Sequence, residues 1–195
     1  MKNICVYCSS SDALEKKYFD EAAKLGKLIA QNKFNLVYGG AKVGLMGEVA
    51  RSVTANNGNV IGIIPEIIKD RELAYLESNE LIVTKDLRER KRLMAEKADA
   101  FIALPGGFGT LDEIMEMITL KQLNLHSKPI IFINTDGFFS KLAEFFDSLV
   151  EKNVIKKEYT TLYYFAENPE EALNFIENYA YSANDSKWYN VNFKN

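Results

Sequence analysis

The sequence predicts an α/β protein with a doubly wound parallel sheet of about seven strands flanked by helices. Short apolar runs of strand type alternate with helical patterns along the chain, as parallel β-α-β units require. Two of these runs, residues 101–104 and 130–133, are apolar without alternation, which is typical of strands that helices cover on both faces. The chain shows neither a repeat nor a linker, so these elements belong to one domain.

The predicted strands and helices follow each other in regular order. The strands are expected at residues 2–7, 35–38, 60–64, 80–83, 100–104, 129–134 and 162–166. The helices are expected at residues 14–32, 44–57, 86–97, 110–123, 138–152 and 169–178. Residues 65–79 form a long connection without clear periodicity, which in a compact domain is usually functional or mobile. We therefore predict one domain over residues 1–178 and a C-terminal tail over residues 179–195.

Composition and charge exclude several classes of protein. With 195 residues, of which 47% are hydrophobic and 26% charged, the chain has ordinary globular proportions. A formal net charge of −3 provides no positive field for holding nucleic acid, so no nucleic-acid partner is expected. The apolar runs are shorter than the ~18 residues of a membrane-spanning helix, and residues 1–7 lack the layout of a signal peptide. The sequence therefore predicts a cytoplasmic protein without membrane contact.

The cysteines and the single histidine give little support for a metal or redox site. Cys5 and Cys8 form a C-x-x-C on a predicted strand, where this spacing directs them to opposite faces, and a second ligand pair for zinc is missing. We interpret both as structural thiols. His126 follows a predicted helix and precedes Pro129, which indicates a loop residue. No metal site is predicted.

Two glycine-rich turns each follow a strand and lead into a helix. The first, residues 38–47, contains Gly39, Gly40 and Gly44, and the second is residues 104–113. Ligands of open α/β sheets bind beyond the carboxyl ends of the strands, where free N–H groups and the helix dipole attract phosphate. Neither turn has a complete P-loop or dinucleotide pattern, which disfavours phosphoryl and hydride transfer. Glycines also end strands and cap helices, but the two turns together favour an anionic ligand.

Two charged residues lie among apolar neighbours on the predicted helices. Arg90 shares a helix face with Leu93 and Met94, so it is either a snorkelling side chain or a guanidinium directed at an anion. Glu113 fits a capping box that begins at Thr110, which would leave it without a chemical role. Glu113 also shares a stripe with Met117, which leaves a catalytic role open. Arg88, Lys91 and Arg92 are interpreted as a solvated basic surface.

The helix predicted at residues 110–123 is apolar on nearly all of its sides. Such a helix must be covered twice, once by the sheet and once by another surface. Because most soluble oligomers are two-fold dimers, a second copy of the chain is the expected cover. We therefore predict a homodimer in which this helix and the helix at residues 86–97 pack on their copies, with Met117 at the interface.

Three segments resemble the signatures of the LONELY GUY (LOG) family of cytokinin riboside 5′-monophosphate phosphoribohydrolases, which older descriptions label lysine decarboxylases. They are Gly-Gly-Ala-Lys-Val-Gly-Leu-Met-Gly at residues 39–47, Arg90-Lys91, and Pro-Gly-Gly-Phe-Gly-Thr-Leu-Asp-Glu at residues 105–113. The resemblance extends over about residues 2–178. Two positions depart from the common pattern: Arg88 stands where many members have histidine, and Ala41 replaces a glycine. Both departures bear on substrate preference.

The resemblance implies a Rossmann-like homodimer that hydrolyses the N-glycosidic bond of a nucleoside 5′-monophosphate, either cytokinin riboside 5′-monophosphate or AMP. It also implies that Arg90 and Glu113 are the catalytic pair. The substrate-contacting positions that it implies are Glu72, Arg90, Lys91, Gly106, Gly107, Phe108, Gly109, Thr110, Leu111, Asp112 and Thr119. To these the first glycine turn adds Gly39, Gly40 and Gly44 as candidate substrate contacts.

The chemistry needs no metal or organic cofactor. Breaking a ribosyl C–N bond develops positive charge at the anomeric carbon, which a nearby carboxylate stabilises while it activates water. No Schiff-base lysine or other pyridoxal phosphate signature accompanies the glycine turns, which disfavours lysine decarboxylation. Two alternatives remain: a non-catalytic nucleotide or molybdenum-cofactor carrier on the same fold, and an AMP nucleosidase that differs only in its base pocket.

Overall fold

The structure, a computed structural model, describes residues 2–71 and 73–180. Its sheet has seven parallel strands in the order β4-β3-β2-β1-β5-β6-β7, which confirms the predicted fold class. The strands are β1 Asn3–Tyr7, β2 Asn35–Tyr38, β3 Asn59–Pro65, β4 Glu80–Thr84, β5 Ala100–Ala103, β6 Ile130–Ile133 and β7 Tyr164–Ala166. The helices are α1 Lys16–Gln31, α2 Gly44–Ala55, α3 Glu66–Lys69, α4 Leu87–Lys97, α5 Phe108–Gln122, α6 Ser140–Glu151 and α7 Pro169–Glu177.

The helices cover the sheet on both faces. One core cluster joins the sheet to α1, α2 and α7, and a second joins the other face to α4, α5 and α6. Cys5 belongs to the second cluster and Cys8 to the first, as the strand spacing predicts. Both thiols are unpaired, and burial raises the pKa of each. They are therefore core residues, as the sequence predicts.

Two elements differ from the sequence-based expectation. The last strand begins at Tyr164, because residues 157–162 form a 3₁₀ turn that buries Leu162 before the chain pairs with β6. The long connection at residues 65–79 contains the short helix α3 and is fastened to the first glycine turn. There Lys42 N–H donates to the carbonyl of Leu73 at 2.8 Å, and Tyr75 N–H donates to the carbonyl of Gly40 at 2.9 Å.

The strand order reverses at β1, which has β2 on one side and β5 on the other. The carboxyl ends of these three strands lie side by side, so both glycine turns meet there. The β1–α1 loop joins them, since Ser9 N–H donates to the carbonyl of Pro105 at 3.1 Å and Leu45 N–H donates to the carbonyl of Ser9 at 3.0 Å. Such a switch point is where open α/β sheets bind ligands.

Some predictions fall on parts of the chain that are not described. Glu72 lies outside the described residues, as do residues 181–195 of the predicted tail. Within residues 2–71 and 73–180, no helix is both long enough and apolar enough to cross a membrane.

Candidate active site

Arg90 and Glu113 form a buried ion pair between α4 and α5. The Arg90 Nη1 to Glu113 Oε1 distance is 3.1 Å, and only 12% and 9% of the two side chains are exposed. Arg90 Nε also donates to the carbonyl of Ile63 on β3 at 3.1 Å, which directs the guanidinium across the end of the sheet. At the start of α4, the Asp86 carboxylate accepts from the N–H groups of Arg88 and Glu89 and so fixes the first turn.

The structure excludes the two non-catalytic interpretations that the sequence left open, the capping box for Glu113 and the snorkelling side chain for Arg90. The capping-box interpretation of Glu113 is wrong, because α5 begins at Phe108 with Gly107 as its N-cap, which places Thr110 inside the helix. The snorkelling interpretation of Arg90 is also wrong, since its guanidinium lies inside the protein instead of reaching water. The helix pattern alone could not reveal that α4 and α5 bring these two side chains together.

Burial and charge act in opposite directions on Glu113. Burial raises the pKa of its carboxyl group, and the positive charge of Arg90 lowers it, with burial the larger effect. The net pKa of Glu113 is therefore above the usual value for glutamate. The charge of Arg90 thus favours the ionised form of Glu113, but it does not cancel the effect of burial. A carboxyl group with a raised pKa is typical of a residue that exchanges protons during catalysis.

Gly39 makes room for the Arg90 guanidinium. A Cβ atom at Gly39 would lie 2.1 Å from Arg90 Nη2 and 2.9 Å from Met46 Sδ. The first glycine turn therefore leaves the space in which the Arg90 guanidinium reaches Glu113. Its helix start is already occupied within the chain, because Gly44 N–H donates to Asp12 Oδ1 at 2.8 Å. The contacts that the sequence assigns to Gly39, Gly40 and Gly44 with substrate stay a prediction.

Replacing Gly39 by alanine is expected to lower turnover roughly 10- to 100-fold, because the new methyl group must displace Arg90 from Glu113. The measurement is kcat on a nucleoside 5′-monophosphate, the substrate class that the resemblance implies, together with thermal unfolding to show that the fold persists. Gly109→Ala is the control for the unfolding measurement, since a Cβ atom there meets nothing within 4 Å. Undiminished turnover of Gly39→Ala would contradict this role of the first turn.

The second glycine turn leaves the start of α5 open. No described residue accepts from the N–H groups of Phe108, Gly109 or Thr110, and no acidic side chain lies in the first turn. Cβ atoms at Gly107 and Gly109 would meet nothing within 4 Å. This helix start, one turn before Glu113, is thus the better place for an anion of the two that the sequence indicates.

Lys91 lies beside the pair and ties α4 to α5. Its ammonium is 2.9 Å from Asp112 Oδ2 and 2.8 Å from Glu116 Oε2. The interpretation of Lys91 as a solvated surface residue is therefore wrong, because two carboxylates hold it against α5. Arg88 and Arg92 are exposed, so for these two residues the interpretation as a solvated basic surface is confirmed.

A cavity of about 580 Å³ opens between these two helices. Of the residues that the resemblance implies, Lys91, Asp112 and Thr119 line it, and Arg88, one of the two departures from the family pattern, lines it too. The cavity therefore gathers several candidate substrate contacts at the surface next to the ion pair.

The β1–α1 loop was not among the predicted site residues, although it joins both turns. Ser9 contacts the two turns through its backbone, and Asp12 fixes the start of α2. Their position directly after β1, at the carboxyl edge of the sheet, was the signal that could have identified them. Among the described residues, no three or more histidine, cysteine or acidic side chains are grouped as metal ligands would be.

Comparison with known proteins identifies the same family as the sequence motifs. The family described as "Possible lysine decarboxylase" matches residues 46–176. The probable cytokinin riboside 5′-monophosphate phosphoribohydrolase LOGL6 of Oryza sativa subsp. japonica is 41% identical over 179 residues, which are 92% of this chain and 72% of that protein. Cytokinin riboside 5′-monophosphate phosphoribohydrolase LOG5 of Arabidopsis thaliana is 40% identical over 91% of this chain and 78% of its own.

Solved structures share the fold. The molybdenum cofactor binding protein of the phototrophic bacterium Rippkaea orientalis superposes with a TM-score of 0.69 at 25% identity, over 91% of this chain and 96% of that one. The carrier alternative therefore has a structural counterpart, but its identity to this chain is much lower than that of the phosphoribohydrolases.

Proposed function

The chain belongs to the LOG branch of the family described as possible lysine decarboxylases, and from that premise we propose that it hydrolyses the N-glycosidic bond of nucleoside 5′-monophosphates. The products are the free base and ribose 5-phosphate. The observation that supports this proposal most strongly is the buried Arg90–Glu113 pair, which lies one helical turn from the open start of α5.

Glu113 is proposed to act on the anomeric carbon. As the C–N bond breaks, its electron pair leaves with the base, which takes up a proton, and the sugar carbon becomes positively charged. The Glu113 carboxylate stabilises that charge and accepts a proton from the attacking water, which supplies the new hydroxyl group. Arg90 orients the carboxylate, and its positive charge favours the ionised form. One proton leaves the water and one enters the base, so Glu113 returns to its carboxylate form once it has passed its proton to the base or to solvent.

The 5′-phosphate is proposed to bind at the start of α5. The free N–H groups there and the positive end of the helix dipole suit a dianion. Because Gly106 to Asp112 lie in the same turn and first helical residues, one segment would hold the phosphate and position Glu113 at the ribose. Gly106 itself allows this turn to close, since a Cβ atom there would lie 2.0 Å from Thr110 Oγ1.

The mechanism requires ionised Glu113, so activity is expected to fall as the pH drops through its pKa. Removing the positive charge in Arg90→Met takes away the influence that lowers this pKa, so the acidic limb of the kcat/KM profile should move to higher pH. Arg92→Met, which removes an exposed arginine paired with Glu96 on the same helix, is the control and should not move the limb. A limb that stays in place, or moves to lower pH, in Arg90→Met would contradict this role.

A panel of nucleoside 5′-monophosphates tests the reaction and its base preference. We expect ribose 5-phosphate release from AMP, from N6-substituted adenosine monophosphates of the cytokinin type, or from both. A non-catalytic carrier would bind nucleotide or molybdenum cofactor and release no ribose 5-phosphate. Absence of release from every member of the panel would overturn the proposed function in favour of the carrier.

We also propose a homodimer, with a different surface from the one first expected. Met117 is 2% exposed and belongs to the core of its own chain, so its assignment to the interface is wrong. The stripe that it shares with Glu113 faces the sheet, whereas other large apolar side chains of this region reach the surface. Leu87 is 51% exposed and Met115 37% exposed, and Leu123 and Leu125 are exposed as well. This apolar surface of α4 and α5 is the candidate interface.

Met115→Lys is expected to convert the dimer to a monomer and to lower activity, because Met115 lies on α5 between Glu113 and Thr119. Sedimentation at micromolar concentration and a parallel hydrolysis assay measure the two effects. Phe145→Lys places the same charge at an exposed apolar position on α6 and should leave the dimer intact. A monomeric wild-type protein, or a monomeric Met115→Lys with full activity, would contradict the proposal.

The remaining proposals concern partners and location. We propose a cytoplasmic protein that binds no nucleic acid. A formal net charge of −3 supports the absence of a nucleic-acid partner, and two unpaired cysteines suit a reducing compartment.

A further inference from the structure

Lys121 is a buried lysine that the proposed reaction does not use. It lies in the last turn of α5, two turns after Glu113 and at the opposite end of the helix from the candidate active site. Only 2% of the residue is exposed. Its ammonium donates to the carbonyl of Leu162 at 2.9 Å and lies 4.8 Å from the centre of the Tyr179 ring. Burial of this kind is rare for a lysine, because removing the charge from water is costly unless an anion is close.

No carboxylate among the described residues pairs with Lys121. Glu171 lies in the same region, but its carboxylate accepts from the Tyr164 hydroxyl and, at 2.8 Å, from the Glu167 N–H. Without an acidic partner, burial lowers the pKa of Lys121 to about 8. The ammonium therefore lacks a full counter-charge within the part of the chain that the structure describes.

Lys121 borders a cavity of about 510 Å³ at the β7 edge of the sheet, and its ammonium lies over the ring of Tyr179, which lines the same cavity. This volume is within the usual range for small-molecule sites. One wall is formed by the stacked rings of Tyr164 and Phe175, whose centres are 4.3 Å apart, and another by the Tyr179 ring. Among the described residues, the cavity thus combines flat aromatic surfaces with one buried ammonium and one carboxylate, that of Glu171, which is already engaged by the Tyr164 hydroxyl and the Glu167 N–H.

We propose that this cavity binds a small aromatic monocarboxylate, with the Lys121 ammonium contacting the carboxylate and the Tyr164 and Phe175 rings contacting the aromatic body. A carboxylate suits the site better than a phosphate for two reasons. One ammonium supplies one positive charge, and no arginine lines the cavity. In addition, α5 and α7 both end here and Glu171 lines the cavity, and this negative charge disfavours a dianion about twice as strongly as a monoanion. The site lies at the opposite end of α5 from Glu113 and is independent of the proposed hydrolysis.

Calorimetric titration of the full-length protein with benzoate and with benzamide tests this assignment. The two probes have nearly the same shape, but only benzoate is charged. We expect benzoate to bind at least tenfold more tightly than benzamide, and we expect Lys121→Met to abolish the difference while nucleotide hydrolysis continues. Lys128→Met is the matched control, because Lys128 is a part-buried lysine that donates to the Ala95 carbonyl at 2.8 Å, away from the cavity.

A second measurement on the wild-type protein does not depend on the folding of a variant. A bound carboxylate stabilises the protonated amine, so benzoate should cause proton uptake at pH 8, where the lysine is partly deprotonated. Titrations in two buffers of different ionisation enthalpy measure this uptake. Equal affinities for benzoate and benzamide, benzoate affinity weaker than about 10 mM, benzoate affinity unchanged in Lys121→Met, or no proton uptake would each overturn the proposal.

Discussion

Replacing Glu113 by glutamine is expected to lower the turnover of nucleoside 5′-monophosphates by at least about 100-fold, the usual effect of losing a positioned charge in a transition state. Glutamine preserves the shape of the side chain and a hydrogen-bond acceptor for Arg90, but it neither stabilises an oxocarbenium-like charge nor accepts a proton from water. The measurement is kcat from ribose 5-phosphate release, with thermal unfolding to show that Glu113→Gln remains folded.

Glu96→Gln provides the control for this experiment. Glu96 lies on α4 in an exposed ion pair with Arg92, so its substitution removes the same charge at the surface. Because exposed pairs contribute little, turnover and stability should stay close to those of the wild type. Near-normal turnover in Glu113→Gln would show that the buried pair is structural.

The second large effect concerns the phosphate. Adenosine is expected to react with a kcat/KM at least about 1000-fold below that of AMP, because it lacks the phosphate that we propose accepts two or three charge-assisted hydrogen bonds at the uncapped start of α5. The assay compares release of adenine from the two compounds under identical conditions.

Inhibition by ribose 5-phosphate provides an independent control for the phosphate site. This product carries the phosphate without the base and should compete with AMP, whereas ribose at the same concentration should not. Equal efficiency for AMP and adenosine would remove the anion-binding role of the second glycine turn, whatever the result at Glu113.

Much of the fold was predictable because its signals are local. The strands β5 and β6 are continuous apolar runs, and the structure buries every residue of both. The place where the two glycine turns meet was predictable for a similar reason, since glycines directly after strands mark the carboxyl edge of a parallel sheet. The edge strand β7 was harder to delimit, because the apolar residue Leu162 is buried by a 3₁₀ turn instead of by strand pairing.

The contacts within the site were not predictable from local patterns. Thr110 and Glu113 fit a capping box in sequence, and only the observed start of α5 at Phe108 excludes it. Arg90 reaches Gly39 and Glu113 across separate elements, so the role of each depends on tertiary packing. Met117 illustrates the same limit, because helix periodicity cannot tell a face that packs on the sheet from a face that packs on a second chain.

The central claim is that water adds to the anomeric carbon of a nucleoside 5′-monophosphate while the phosphate ester stays intact. Its most direct test is turnover of AMP in ¹⁸O-labelled water, followed by mass spectrometry of the products. We predict free adenine and ribose 5-phosphate with one ¹⁸O atom, located at C1 when the sugar is trapped before its anomeric oxygen exchanges with solvent. Release of adenosine together with ¹⁸O-labelled inorganic phosphate, or tight binding of AMP without any product, would contradict the claim.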